Sequence, residues 1–116
     1  MSPDDRRVTP GTWGGEHLAF TVTESGAHAE FDCASGDITQ PLTTDAEGRL
    51  TVEGTYVREH GGPARDDEQT VRKRARYSAR IDGKTLTLDI TLVDSNEHVG
   101  PFTLTHGAEP VVHKCL

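Results

Sequence analysis

Large apolar and aromatic side chains are scarce in this 116-residue chain: there are three Phe, two Tyr and one Trp, and Leu, Ile, Val and Phe together number 23. That composition borders on the range in which chains do not fold, so the core must be thin. The length suits one domain and excludes a multidomain enzyme. No stretch approaches the roughly 20 consecutive apolar residues of a spanning helix, and no signal-type apolar run stands at the start. Helical periodicity is also missing, because no window of a dozen residues repeats apolar positions at i, i+3, i+4 and i+7. Basic charge is in deficit, with 12 Lys and Arg against 19 Asp and Glu and a formal charge of −7. Net repulsion opposes generic attraction to polyphosphate, and nucleic acid is not an expected partner.

What the chain does have is alternation, and fifteen threonines, whose β-branched, hydroxylated side chains suit the wet face of a half-buried sheet. Residues 1–10 (MSPDDRRVTP) are polar and charged and read as a leader or tether, leaving residues 11–116 as one domain. Leu18, Phe20 and Val22 define a first strand, and a two-residue Ser25-Gly26 turn sets Val22 against Ala29, Phe20 against Phe31 and Leu18 against an inward Cys33. Ser35-Gly36-Asp37 reads as the next turn and Ile38 to Thr44 as a short strand broken by Pro41. After a turn at Asp45 to Gly48, a longer strand from Arg49 to His60 aligns Leu50, Val52, Gly54 and Tyr56. A polar loop to Thr70 carries Asp66-Asp67-Glu68. Asp82-Gly83 is the strongest hairpin signal and would pair Tyr77 with Leu88, Ala75 with Ile90 and Arg76 with Asp89. Val99 to Thr105 and Pro110 to Leu116 complete the set. The expected fold is all-β: a small antiparallel meander of seven or eight strands closed into a barrel, which removes exposed edges, with a β-sandwich as the alternative.

Cys33 and Cys115 stand 82 positions apart. A disulfide between them would restrict the unfolded chain by about 4 kcal/mol on the loop-entropy model and implies an oxidising, extracytoplasmic compartment. The alternative is a pair of reduced thiols in a cytosolic protein. With Met1 as its single methionine, the chain reads as a trimmed mature form that lacks its export signal, with membrane association only through a removed lipid anchor.

Gly11-Thr12-Trp13, in an all-β chain of this size, resembles the glycine-x-tryptophan start of calycin barrels, the lipocalin and avidin-type proteins. The resemblance implies a binding barrel with Trp13 plugging one end beneath a basic residue from the last strand, here Lys114. The longer pattern GTWGGEH, EFDCASG, REHGGP and HKCL is similar to small uncharacterised bacterial exported or lipoprotein-type domains, a similarity that implies no activity. Glu30 to Gly36, then Ala75-Arg76-Tyr77-Ser78, then Cys115, is similar in order to the barrel inhibitors of C-type lysozyme, and implies Arg76 and Tyr77 as contacts to a basic hydrolase. Lys73-Arg74 stands where that family has a serine-glycine pair.

Six histidines raise a metal reading through His17, His28 and His60, but His28, Glu30 and Asp32 recur on one strand face at roughly 7 Å, too far apart to share one ion unaided. A thiolate site of Cys33, His113 and Cys115 competes with the bridge. Glu59-His60-Gly61-Gly62 has the make-up of an acid-base pair on a glycine loop, yet no G-x-S-x-G supplies a nucleophile. Arg72, Arg74, Arg76 and Arg80 share one strand face, expected to be a solvated ladder answered by Asp89 and the acidic loop. If that ladder has a partner, an acidic protein or sulfated polymer fits it better than DNA, since no outward aromatics are available for stacking. The expectation is an exported binding or structural module and no enzyme, with no cofactor and no metal site. Candidate binding residues are Trp13, His17, Glu59, His60, Arg76 and Tyr77, and the partner is a small ligand or a basic protein.

Overall fold

Alternating apolar residues make strands here because each strand can bury one face only, and the thin supply of such residues is shared by rolling the sheet around them. The computed structural model describes residues 7–58 and 72–113. Its strands are β1 (Gly11–Gly15), β2 (Leu18–Val22), β3 (Ala27–Phe31), β4 (Ala34–Ile38), β5 (Arg49–Arg58), β6 (Arg72–Asp82), β7 (Thr85–Leu92) and β8 (His98–His106). Each pairs antiparallel with the next, and β8 returns to β1 through Trp13 opposite His106 and Gly14 opposite Thr105, closing an eight-stranded barrel. No helix occurs among the described residues. The interior is filled by Leu18, Phe20, Tyr77, Leu86, Leu88 and Ile90, all buried.

The expected faces of β2, β3, β6 and β7 are correct, whereas several pairings are not. Phe20 lies opposite Ala29 and Leu18 opposite Phe31, a shift of two residues from the expected register. The turn residues are Glu24-Ser25, closed by the Thr23 N–H donating to the Gly26 carbonyl at 2.8 Å. The β6–β7 hairpin shifts likewise: Tyr77 faces Ile90, Ala75 faces Leu92 and Arg76 faces Thr91, so the turn is Gly83-Lys84, with Gly83 at φ 63°. A two-residue shift leaves every side chain on its original face, so burial alone cannot choose between these registers.

Gly36 belongs to β4 and not to a turn, and the strand expected from Ile38 to Thr44 is a loop carrying one bridge, Arg7 to Thr43. The reason lies across the barrel. Tyr77 Oη donates to the Thr55 carbonyl at 2.6 Å, and a Cβ on Gly36 would collide with that hydroxyl. A Cβ on Gly54 would come within 2.9 Å of the same ring. The two glycines leave the volume that the interior tyrosine occupies.

The Asp45 to Gly48 turn forms as expected: Asp45 Oδ1 accepts from the Glu47 and Arg49 amides at 2.8 and 3.0 Å, and Gly48 sits at φ 80°. Gly11 to Gly15, expected only as the approach to a strand, is itself β1. No final strand forms over the described part of 110–116. That segment instead runs alongside β1, with the Val111 N–H donating to the Gly15 carbonyl and the His17 N–H to the Val111 carbonyl. Gly14 leaves room for it, since a Cβ there would lie 2.8 Å from Pro110 N. The last residues of the expected leader are also packed against the barrel: Val8 is buried and its N–H donates to the Leu42 carbonyl at 3.0 Å. Cys33 is exposed in the turn between β3 and β4, and does not face the core.

Candidate functional site

Turns 16–17, 32–33 and 93–97, with the end of β5, gather at one end of the barrel. There the side-chain filling stops short and leaves a cleft of about 380 Å³, lined mainly by apolar surface from Phe31, Ala34, Tyr56, Val99 and Phe102. The rings form one edge-packed group, with Phe31 5.5 Å from both Tyr56 and Phe102 between centroids.

Val99 and Phe102 reach this cleft together because of an irregularity in β8. Their odd spacing would send them to opposite faces of a regular strand. The register shifts between Leu88 and Ile90, so that Gly100 and Pro101 together oppose Asp89. Val99 then pairs with Ile90 and Phe102 with Leu88, both inward. Gly100, at φ 111°, supplies a conformation that other residues rarely adopt, and Pro101 has no amide to offer the ladder.

The rim is polar. His17 holds φ 73° in the β1–β2 turn and donates from Nδ1 to Asp32 Oδ2 at 2.5 Å. Asp32 Oδ1 accepts the His113 N–H at 2.9 Å, and this contact, followed by His17, holds the Asp32 carboxyl below its usual range despite partial desolvation. Arg58 pairs with Glu97 on the far side. A second cleft of about 370 Å³, lined by Glu16, His17, Pro101, Phe102 and Thr103, shares His17 and Phe102 with the first. A non-glycine residue at positive φ held by a hydrogen bond to a carboxylate at the mouth marks a place where geometry is imposed by the surroundings.

No protein-family model, curated protein or solved structure matches this chain. The site's chemistry therefore has to be read from its own side chains.

Of the four candidate residues that fall among the described residues, Trp13, His17, Arg76 and Tyr77, only His17 lines this mouth. Glu59 and His60 follow Arg58 in the chain and lie outside the described residues, as do Lys114, Cys115 and the acidic loop at 66–68. Trp13 is buried elsewhere: its Nε1–H donates to the Thr9 carbonyl at 3.0 Å and its ring meets His106 edge-on at 4.9 Å. The ring that meets the tryptophan edge-on belongs to His106 of β8, whose Nε2 lies 3.0 Å from the Pro10 carbonyl. Arg76 and Tyr77 point to opposite faces, the tyrosine sealed inside and the arginine exposed. Burial pushes the Tyr77 hydroxyl far above its ordinary pKa, with Asp37 and Tyr56 adding to the shift, so it stays a neutral donor.

His28 donates from Nδ1 to Asp37 at 2.7 Å and from Nε2 to Glu30 at 2.6 Å on the outer face. These two carboxylates raise its pKa, Asp37 foremost, against some desolvation. With both nitrogens used as donors, the ring has no lone pair for a metal, and no cluster of three His, Cys, Asp or Glu among the described residues could hold one. The residues that build the mouth, Phe31, Tyr56, Arg58, Val99 and Phe102, were not among the sequence candidates. The Gly100-Pro101 pair inside an apolar run was the available signal, because such a pair marks a bulge.

Proposed function

We propose that this protein is a non-enzymatic, exported binding module of calycin-like barrel type. It would take a small apolar ligand, or the apolar part of an amphiphile, into the mouth cleft. The observation that carries this reading is the ring group of Phe31, Tyr56 and Phe102 left in an open cleft of about 380 Å³. That volume is at the lower end of ligand pockets, and its polar groups are few and confined to the rim, as orientation of a small ligand requires. The filled interior below it argues for a shallow seat, not a deep cup. His17 and Arg58, each held by a carboxylate, stand where a polar headgroup would leave the cleft.

The Cys33–Cys115 bridge and an oxidising compartment belong to the same reading. Cys33 is not a free cysteine. The bond from His113 to Asp32 also carries the C-terminal segment to the turn that holds Cys33. Two other readings draw less support. The burial of Tyr77 removes half of the arginine-tyrosine pair that inhibition of a basic hydrolase such as C-type lysozyme would present, and His28 is committed to carboxylates in any metal reading.

Titration of the full chain with 1-anilinonaphthalene-8-sulfonate at neutral pH tests the cleft. One probe per chain with enhanced emission is expected, and Phe102→Ala, at a half-buried position, should weaken binding about tenfold, the loss of roughly one ring contact. A folded parent that binds no probe, or a folded Phe102→Ala variant that binds it equally, refutes the proposal.

A further inference from the structure

The outer face of β5, β6 and β7 carries basic charge that the rest of this acidic chain does not explain. Arg49 and Arg80 are direct cross-strand neighbours, as are Glu53 and Arg76, and Thr51 and Ser78 lie between them. The Arg49–Arg80 pair sets like charges opposite each other, which destabilises a pair of strands, whereas Arg76 has the oppositely charged Glu53 across from it. Asp89 makes no ion pair with these arginines among the described residues: it lies opposite Ser78 and faces His98 Nδ1 at 3.3 Å. Arg76 and Arg80 make no ion pair among the described residues, while Arg49 and Arg74 have only loose, exposed contacts of 3.7 Å with Glu47 and Asp94. Such exposed pairs contribute little and yield readily to a competing anion.

The same face is a trough of about 410 Å³ lined by Arg49, Thr51, Ser78, Arg80, Thr87 and Asp89. Guanidinium groups beside hydroxyls offer forked donors for sulfate or carboxylate, together with donors and acceptors for sugar hydroxyls. Arg76 and Arg80 are four residues apart on an extended strand, roughly 13 Å, a span that a small ion cannot bridge and a linear polymer can. Aromatics are absent from this face, since Tyr56 and Tyr77 are buried, so it lacks the stacking groups of a nucleic-acid surface. It also lacks an apolar anchor of the kind that carries protein–protein affinity: among the described residues Val111 is the one exposed large hydrophobic, and it lies beside β1.

We propose that this face binds a linear anionic polysaccharide through Arg49, Arg76 and Arg80, with Thr51, Ser78 and Thr87 receiving the sugar hydroxyls. The surface is separate from the mouth and does not depend on what occupies it. Binding of the full chain to immobilised heparin at about 50 mM salt tests it, with polyglutamate and uncharged dextran as comparators. The parent is expected to bind heparin and neither comparator. Arg76→Ser/Arg80→Ser should weaken binding at least about tenfold and lower the slope of log affinity against log salt by about two, one for each arginine. Its circular dichroism and its binding of the apolar probe should be unchanged. No binding by the parent, equal binding by the double variant, or equal binding of polyglutamate and heparin would overturn the assignment.

Discussion

Replacing Gly36 by alanine places a methyl group where the Tyr77 hydroxyl sits, and within 2.6 Å of the Thr55 carbonyl oxygen that accepts from it. Gly36 is not among the residues at positive φ, so space is the issue and not backbone strain. Overpacking of this kind destabilises by about 1–3 kcal/mol. Displacing Tyr77 Oη also loses a hydrogen bond worth about 1 kcal/mol net, and more if the carbonyl is left without a partner. Against this, alanine is favoured over glycine in a strand by roughly 0.5–1 kcal/mol through the unfolded chain. The expected net loss is about 2–3 kcal/mol, which in a domain of this size lowers Tm by roughly 8–12 °C. Urea and thermal unfolding of the parent, Gly36→Ala, Tyr77→Phe and the double variant would measure it as a cycle. Because Tyr77→Phe removes the colliding oxygen, part of the Gly36→Ala penalty should disappear in the phenylalanine background, giving a coupling of about 1 kcal/mol or more. A Gly36→Ala variant as stable as the parent, or strictly additive effects, would refute the idea that this glycine exists to admit the tyrosine.

The His28 clamp predicts a pH dependence. Because Asp37 and Glu30 raise the folded-state pKa above 6.5, the stabilisation is fully present below the unfolded value and is lost as pH rises through the folded one. The stability difference between the parent and His28→Gln should therefore be constant below pH about 6.5 and shrink as pH rises through the folded value, and the same difference on both sides of that range would count against the clamp. Asp32 behaves in the opposite sense, since its carboxyl is held low chiefly by the His113 amide. Its contribution is present above the unfolded pKa of 3.8 and fades as pH falls through the folded value. The protection factor of the His113 amide, taken against the intrinsic exchange rate at each pH, should fall on acidification through the folded value of Asp32 or in Asp32→Ala; unchanged protection would sink this assignment. Under denaturing, non-reducing conditions the chain should show no reactive thiol, and Cys33→Ser should lose about 4 kcal/mol on the loop-entropy model, whereas two titratable sulfurs would remove the bridge and with it the support for export.

Much of the architecture was legible in the order of residues. Leu18, Phe20 and Val22, and Leu86, Leu88, Ile90 and Leu92, are buried on the faces their alternation assigns, and neighbouring strands joined by turns gave an antiparallel meander. Among the described residues that line the mouth, His17 is the one the sequence offered as a binding candidate; the other walls come from the ends of β3, β5 and β8, which are distant in the chain.

Which side of the ribbon faces inward is a local property of a strand with period two, and the amino-acid sequence determined it unaided. Registers, the role of Gly36 and the joint aim of Val99 and Phe102 were decided only in the closed barrel. Two-residue shifts preserve the burial of every side chain, so the choice falls to contacts that no single strand contains: a hydroxyl needing the space of an absent methyl, and a bulge that turns one residue round to face its neighbour's side.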